Sequence, residues 1–322
     1  MARGESIGPA QASVVCVALV CPRCKGALVN HDGSLTCSAC SAAYPIQDDL
    51  PVLLSGALSD QHEHQQRYFD AEFQSYERYA PENWRLSFIE RIFGAIEVLN
   101  DGEPYLDVGV GGSGATVIEA ARRGVASVGC DLSVEGVLAA RRFARQEGVD
   151  AHACFVVCVA EALPFPEHTF RSASAVALLE HLDDDRQTVA ELARVLRPGG
   201  LLWLTVPHAY RYMPLPLWPL YWWHDRRIGH KRHYDERRLV EICAEVGLQH
   251  VRTSYSAHPV KVLQFLGTKL FPGMRGQRSP AWWRLERLDR RGEDRRIGAL
   301  QLSAVFRREN PHDHRGRFDA AA

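Results

Sequence analysis

The sequence predicts an α/β protein in two unequal parts, a small metal-held ribbon followed by a nucleotide-binding domain built on a mostly parallel sheet. Three observations predict it. Two Cys-x-x-Cys pairs, Cys21-Pro-Arg-Cys24 and Cys37-Ser-Ala-Cys40, are separated by twelve residues near the start of the chain. Farther on, the apolar run Tyr105-Leu106-Asp107-Val108 enters Gly109-Val110-Gly111-Gly112-Ser113-Gly114 and then a helical stretch from Thr116 to Arg123. Strand, glycine turn, helix is the opening of a βαβ unit. Apolar runs and amphipathic stretches then alternate for most of the remaining chain.

The 322 residues are 46% hydrophobic and 24% charged, which excludes wholesale disorder and fibrous classes. With 38 basic and 39 acidic side chains the net charge of -1 gives no global attraction for nucleic acid. The longest apolar candidates, Ala12 to Val20 and Leu215 to Trp223, fall short of the about 18 residues a membrane span needs. Arg3 sits beside Glu5, no small-residue cleavage site follows the apolar run, and Val20 precedes Cys21. Those features argue against a signal peptide or a lipoprotein and make the expected location cytoplasmic. In that compartment nine cysteines are expected as ligands, core residues or reactive thiols rather than disulfides.

Each Cys-x-x-Cys turn can aim two thiolates at one ion, and two such knuckles close a tetrahedral shell with no open position. Cys21, Cys24, Cys37 and Cys40 are therefore expected to hold a structural Zn²⁺. A segment of about 50 residues buries too little apolar surface to hold itself together easily, and metal binding supplies the missing free energy. A redox motif would need one pair and leave the other unexplained. His31, between the knuckles, reads as a solvated turn residue. The stretch from Leu19-Val20-Cys21-Pro22 to Tyr44-Pro45-Ile46 and Leu50-Pro51-Val52-Leu53-Leu54 resembles the small zinc-ribbon proteins that activate or accompany tRNA and protein methyltransferases. Asp49 stands where those proteins commonly carry glycine.

The predicted organisation is a flexible start (1–18), the ribbon (19–55), a linker with N-terminal helices (56–100), the larger domain (101–308) and a disordered tail (309–322). Ser55 to Gln66 reads as polar connector, with His62 and His64 solvated for want of a third ligand. Aromatics interleave from Arg67 to Tyr79, and Leu86, Ile89, Ile92, Phe93, Ile96 and Leu99 repeat at helical spacing.

In the larger domain the glycine pattern alone also fits dinucleotide oxidoreductases. Context separates the two, because Asp107 lies two residues before the first glycine. A carboxylate there repels a pyrophosphate and attracts an ammonium group, which favours S-adenosylmethionine. The next strand, Val125 to Asp131, ends in an acid twenty-two residues after Gly109, where it can bind both ribose hydroxyls. Here the chain resembles the class I S-adenosylmethionine-dependent methyltransferases, in particular the methyltransferase type 11 subgroup that includes quinone-biosynthesis and small-molecule enzymes. Further motifs carry the likeness: Ala160-Glu161-Ala162-Leu163-Pro164-Phe165-Pro166 with Phe170, Leu178-Leu179-Glu180-His181-Leu182, and Arg197-Pro198-Gly199-Gly200 before the strand Leu201 to Val206. Glu236 to Val246 reads as a helix, and Leu248 to Ser256 and Ala299 to Arg307 as the last two strands. The resemblance implies a Rossmann-like seven-stranded sheet. It assigns the cofactor's methionine end to Asp107, Gly109 and Gly111, its ribose to Asp131 with Leu132, and its adenine to Ala160 and Glu161. Two positions depart: the glycine loop is one residue longer, with Ser113 for the usual third glycine, and Val159 replaces an Asp that often binds adenine.

Cys154 and Cys158, four apart on one strand, lie about 13 Å from each other, too far for a disulfide or shared metal, and read as core thiols. Cys16, Cys130 and Cys243 read as isolated. The resemblance places the acceptor beside the end of the fourth strand and an insert at about 207–234. His181 and His230 are the candidate catalytic bases, with His233 and Tyr234 nearby and Lys231 and Arg232 as groups for a sugar or phosphate. The aromatic, proline-rich stretch Tyr210 to Trp223 excludes a regular helix through its middle. It reads as plain packing, as a lid over a planar or apolar acceptor, or as a surface for a membrane interface. Phe265 to Met274 and Trp282-Trp283 extend that cover at about 257–297, and Arg284 to Arg296 reads as a salt-bridged helix face. The expected acceptor is a small molecule, lipid or glycan precursor, with RNA second. A nicotinamide-dependent oxidoreductase and a noncatalytic scaffold remain as readings from other classes.

Overall fold

A computed structural model describes residues 13–14, 17–31, 33–56, 58–81, 83–258, 284 and 287–310. Most of the predicted flexible start with Cys16, the predicted cover Phe265 to Met274 with Trp282-Trp283, and the tail from 311 lie outside the described residues.

The amino-terminal part begins with a hairpin of β1 (Ser13–Val14) and β2 (Val17–Ala18). An antiparallel sheet follows in sequence order: β3 (Leu28–His31), β4 (Ser34–Cys37), β5 (Ala43–Gln47) and β6 (Leu50–Pro51). Each cysteine pair is followed at once by a left-handed residue, Lys25 (φ 60°) and Ser41 (φ 59°), which turns the chain back. Asp48 and Asp49 are also left-handed, at 49° and 59°. That explains why glycine suits position 49 in similar proteins and why Asp, which tolerates this region better than most residues, can replace it.

The larger part contains α1 (Asp60–Phe73), α2 (Asn83–Ala95), β7 (Tyr105–Val108), α3 (Ala115–Ala121), β8 (Ser127–Asp131), α4 (Val134–Gln146) and β9 (Ala153–Val157). Then come β10 (Phe170–Val176), α5 (Asp185–Val195), β11 (Leu196–Pro207), α6 (Trp218–Ile228), α7 (Glu236–Ala244), β12 (Leu248–Ser256) and β13 (Gln301–Arg308). Seven strands form one sheet in the order β12-β13-β11-β10-β7-β8-β9. The pairings from β11 through β9 are parallel, while β13 runs antiparallel to both neighbours. β7 and β9 are buried at every position, as parallel strands covered on both faces require. The strand order reverses between β7 and β10, so a crevice opens at their carboxyl ends.

The two parts share a core: Leu19, Leu28, Leu35, Tyr44 and Leu53 cluster with residues of the large sheet. Val20 N donates to Pro164 O at 3.0 Å, and Lys25 Nζ reaches Glu191 Oε2 at 2.7 Å and Leu163 O at 3.1 Å. Val52 forms a parallel bridge with Val157 at the β9 side of the sheet, and Leu53 N donates to Val157 O at 2.7 Å.

Two expectations need correction. The connector Ser55 to Gln66 is largely helical, because Ser59 caps α1 by accepting from His62 N at 3.2 Å and Asp60 and Glu63 fill its first turn. The proline-rich stretch keeps a regular helix out of its middle as expected, with 3₁₀ turns at Tyr210–Tyr212 and Leu215–Leu217; α6 starts only at Trp218, with Pro219 in its first turn, where a missing N–H costs nothing. Cys154 is disulfide-bonded, not a free thiol; the spacing argument excluded only Cys158 as its mate. Cys130, Cys158 and Cys243 are free and buried. In the stretch read as a salt-bridged face, Asp289 is buried and accepts from the amides of Ala257 and His258. Among the described residues no helix is long and apolar enough to cross a membrane.

Candidate active site

The knuckles at 21–24 and 37–40 bring all four cysteine sulfurs within 4.8 Å of one another. The Cys24–Cys37 and Cys21–Cys40 sulfurs lie 3.4 and 3.7 Å apart. A tetrahedral ion with ~2.3 Å metal–sulfur bonds sets edges of about 3.8 Å, so the set fits Zn²⁺ and leaves no position for a substrate. Tyr44 Oη lies 3.2 Å from Cys21 Sγ, and Ala39 N donates to Cys37 Sγ at 3.4 Å, donors of the kind that support thiolate ligands. His31 is exposed on β3.

The crevice at the carboxyl ends of β7, β8, β9 and β10 holds a cavity of ≈ 310 Å³. Asp107, Gly109, Gly111, Asp131, Leu132, Ala160 and Glu161, the residues predicted to hold a cofactor, all line it. Asp107 is buried and accepts from the hydroxyls of Ser174 and Thr116. Burial pushes its carboxyl up to about 6 in spite of those donors. Asp131, the last residue of β8, accepts from Gly111 N and Ser133 N, both at 2.9 Å, and burial raises its carboxyl too. Gly111 has φ +61°, the left-handed turn that aims its amide at Asp131. Glu161, in the 3₁₀ turn Ala160–Ala162, meets His62 Nε2 at 3.1 Å through Oε1, while its Oε2 is buried without a hydrogen-bond partner.

α1 roofs this cavity, which the sequence reading missed. Phe69 and Phe73 stack with ring centroids 5.6 Å apart. A Cβ on Gly112 would stand 2.6 Å from the Phe73 ring, so bare backbone is what admits the aromatic. Gln66 Nε2 donates to Leu132 O at 3.0 Å on one side; Gln61 Nε2 donates to His181 O at 2.7 Å and Gln65 Nε2 to Ile228 O at 3.2 Å on the other. His62, expected in solvent, is largely buried, and its hydrogen bond to Glu161 raises its pKa. Arg85 of α2 also lines the cavity and donates to Ser113 Oγ at 2.5 Å.

At the far end of the cavity His181 contributes to the lining and His230 packs behind it, ring centroids 4.7 Å apart. His230 Nδ1 donates to Asp225 Oδ1 at 2.8 Å, and His233 Nε2 donates to Asp225 Oδ2 at 2.7 Å, with Tyr210 Oη also on Oδ2. Burial would raise the Asp225 carboxyl, but these three donors outweigh it and hold it well below the usual carboxylate range. Burial pushes the neighbouring Glu180 up to about 8. The other candidates are otherwise engaged. Tyr234 is fully buried and donates to Asp185 at 2.8 Å, Lys231 pairs with Asp183, and Arg232 pairs with Asp185 at 3.1 Å. Asp225 carried no signal in the sequence, being one acid in an aromatic stretch.

Comparison with known proteins agrees with this layout. Residues 106–204 match the family model described as a methyltransferase domain, and residues 18–49 match the one described as Trm112p-like protein. Two stretches of the chain are thus similar to a methyltransferase domain and, ahead of it, to a Trm112p-like protein. It is 33% identical over 116 residues to a ubiquinone biosynthesis O-methyltransferase of Alkalilimnicola ehrlichii, covering 36% of this chain and 44% of that protein. It is 35% identical over 108 residues to the tRNA 5-carboxymethoxyuridine methyltransferase of Escherichia coli, covering 33% and 40%. The matched region spans less than half the length of the curated relatives. The fold is similar to that of a geranyl diphosphate C-methyltransferase from Streptomyces coelicolor solved with Mg²⁺, geranyl diphosphate and S-adenosyl-L-homocysteine, at TM-score 0.57 and 14% identity, covering 79% of this chain and 100% of that one.

Proposed function

We propose that the chain is an S-adenosylmethionine-dependent methyltransferase of a small-molecule acceptor, lipid and glycan precursors included, with Zn²⁺ as a structural ion in its ribbon. The observation that carries the reading is the polarity of the crevice: Asp107 and Asp131 flank the glycine loop at the strand-order reversal, and Glu161 adds a buried, unpartnered oxygen. In this reading Asp107 and Arg85 face the ammonium and carboxylate of the methionine end, with Gly109 and Gly111 approaching it as bare backbone. Asp131 and Leu132 take the ribose, Glu161 Oε2 accepts from the adenine amino group, and Ala160 and Val159 form the adenine wall. When bound, the cofactor supplies a methyl carbon on a cationic sulfur, whose C–S bond breaks as the bond to the acceptor forms. The chain's own contribution is orientation and exclusion of water by α1, with His181 facing the acceptor atom and His230 supporting it from behind.

Exposed Trp218, Trp222 and Trp223 on α6, with Arg226 lying 4.4 Å over the Trp222 ring, support an apolar acceptor or one drawn from a membrane surface. A cytoplasmic location belongs to the same proposal, since the four ribbon cysteines are reduced, as an ion there requires, while Cys154 alone among the described cysteines is in a disulfide. The likeness to a tRNA-modifying enzyme keeps RNA as the second acceptor class.

Calorimetry of the zinc-loaded protein with S-adenosylhomocysteine should show saturable binding, weakened about 10–100-fold by Asp131→Ala, the scale of a charge-assisted hydrogen bond. Methyl-labelled S-adenosylmethionine offered with metabolite, lipid and RNA fractions should label the small-molecule or lipid fraction. Saturable nicotinamide-dinucleotide binding without S-adenosylhomocysteine binding would overturn the reading, and label confined to RNA would overturn the acceptor class.

A further inference from the structure

Glu180, His181 and His230 bring a carboxylate and two imidazoles together behind the acceptor end of the cavity, which His181 alone of the three lines, one ligand atom from each within 4.8 Å of the others. Glu180 is 1% exposed, its Oε2 has no hydrogen-bond partner, and its Oε1 lies 3.8 Å from His230 Nε2. So deeply buried, this carboxyl can ionise only with a counter-charge beside it. Behind His230 stands Asp225, which accepts from Nδ1 at 2.8 Å and so turns Nε2 toward Glu180. A carboxylate behind an imidazole is the usual outer support of a metal-binding histidine. The main chain is fixed on both sides, Lys231 N donating to Glu180 O at 2.8 Å and Gln61 Nε2 to His181 O at 2.7 Å.

We propose that Glu180, His181 and His230 bind a divalent first-row transition ion, with Asp225 orienting His230 as a positioning residue. Two histidines and one carboxylate suit such ions and leave coordination positions open. The alternative grouping of Asp225, His230 and His233 is already satisfied by hydrogen bonds at 2.7 and 2.8 Å. Ligand atoms around one ion stand about 2.0–2.2 Å from it, so the three donors close inward on binding. Resting on the methyltransferase reading, the open positions take an acceptor oxygen: the ion favours its ionised form, the hydroxyl proton passing to water, before that oxygen forms its bond to the methyl carbon. His181 and His230 then act as ligands, and no imidazole base is needed.

The full chain, zinc-loaded at its cysteines, is titrated with Co²⁺ and followed by calorimetry and visible absorption. The expected result is one equivalent of Co²⁺ beyond the zinc, with weak d–d bands and no sulfur charge-transfer band. Glu180→Gln and His230→Ala should remove that equivalent, and Asp225→Asn should weaken it about 10–100-fold with zinc content unchanged. Circular dichroism checks that each variant is folded, and Asp225→Asn decides the matter if the ligand variants are not. No Co²⁺ uptake beyond the zinc, or uptake that survives these substitutions, overturns the proposal. S-adenosylhomocysteine binding measured in parallel separates the two ideas: binding without Co²⁺ uptake rejects the metal site alone, and Co²⁺ uptake without such binding rejects the cofactor reading and leaves the site.

Discussion

The cysteine centre and the roofed acceptor end of the crevice both converge side chains on one point, but they do so by different routes. The cysteines come from two tight turns inside one twenty-residue stretch, Cys21 to Cys40. The acceptor end joins Gln61 and Phe69 of α1, Glu180 and His181 after β10, and Asp225 and His230 around α6, segments that only the folded sheet brings together. The first site is written in local spacing, and an ion bound to its four sulfurs would hold it together. The second exists only as far as α1 and the insert stay docked, so its stability is that of the contacts around it.

The contrast can be broken most forcefully at the ribbon. Cys37→Ser, or chelation, removes a binding free energy of about 10–16 kcal/mol in ribbon-sized zinc modules. Zinc content should fall to zero and amide exchange over residues 17–54 should become fast. Because Leu19, Leu28 and Leu35 share the core of the large sheet, Tm should drop as well, by about 10 °C or more at roughly 2–4 °C per kcal/mol. An unchanged Tm would mean the ribbon is merely tethered.

A smaller effect is expected at the roof. Phe73→Ala removes the buried ring that packs on Gly112 and Gly136 and should cost about 3–5 kcal/mol in urea unfolding, together with weaker S-adenosylhomocysteine binding. A loss of stability without a change in affinity would detach the roof from the site.

Between the two parts, Lys25→Met breaks the ion pair with Glu191. Lys25 is partly exposed, and Glu191 keeps Arg194 at 2.6 Å, so the loss should be about 1 kcal/mol or less, a small shift in Tm.

The mildest expectation concerns pH. The hydrogen bond to Glu161 raises His62 above its ordinary value of 6.5, so the clamp between them is fully present below that value. It fades as pH rises through the elevated folded value. Amide exchange in α1 should therefore quicken, relative to the intrinsic rate, on going from slightly acid to alkaline buffer, and His62→Gln should flatten that dependence.

How much was legible follows the same division. The knuckles, β7 with its glycine loop, and Asp131 at the end of β8 were readable because each is a short pattern whose meaning does not depend on distant residues. Asp107 was singled out by its charge beside the glycine loop and Glu161 on the family resemblance, and both line the cavity. The first half of α1, Asp60 to Gln66, was read as connector because it is polar and only Gln65 in it is buried, so no apolar stripe announced a helix there. His62 looked solvated because its partner lies 99 residues away. Lys231 and Arg232 looked like anion ligands because Asp183 and Asp185, which neutralise them, are some fifty residues distant. Asp225 could not be singled out at all: its importance lies in facing two histidines and a tyrosine at once, and that is a fact of packing.

The short run through Val52 and Leu53, laid along Val157, covers the carboxyl end of what would otherwise be a bare margin of the large sheet. Unpaired backbone along such a margin is a template for other chains. A version of this protein cut free of its ribbon after Leu54 would expose β9, and gel filtration should find it self-associating even where the full chain stays dispersed. That result would make the small module a guard against aggregation for the larger one.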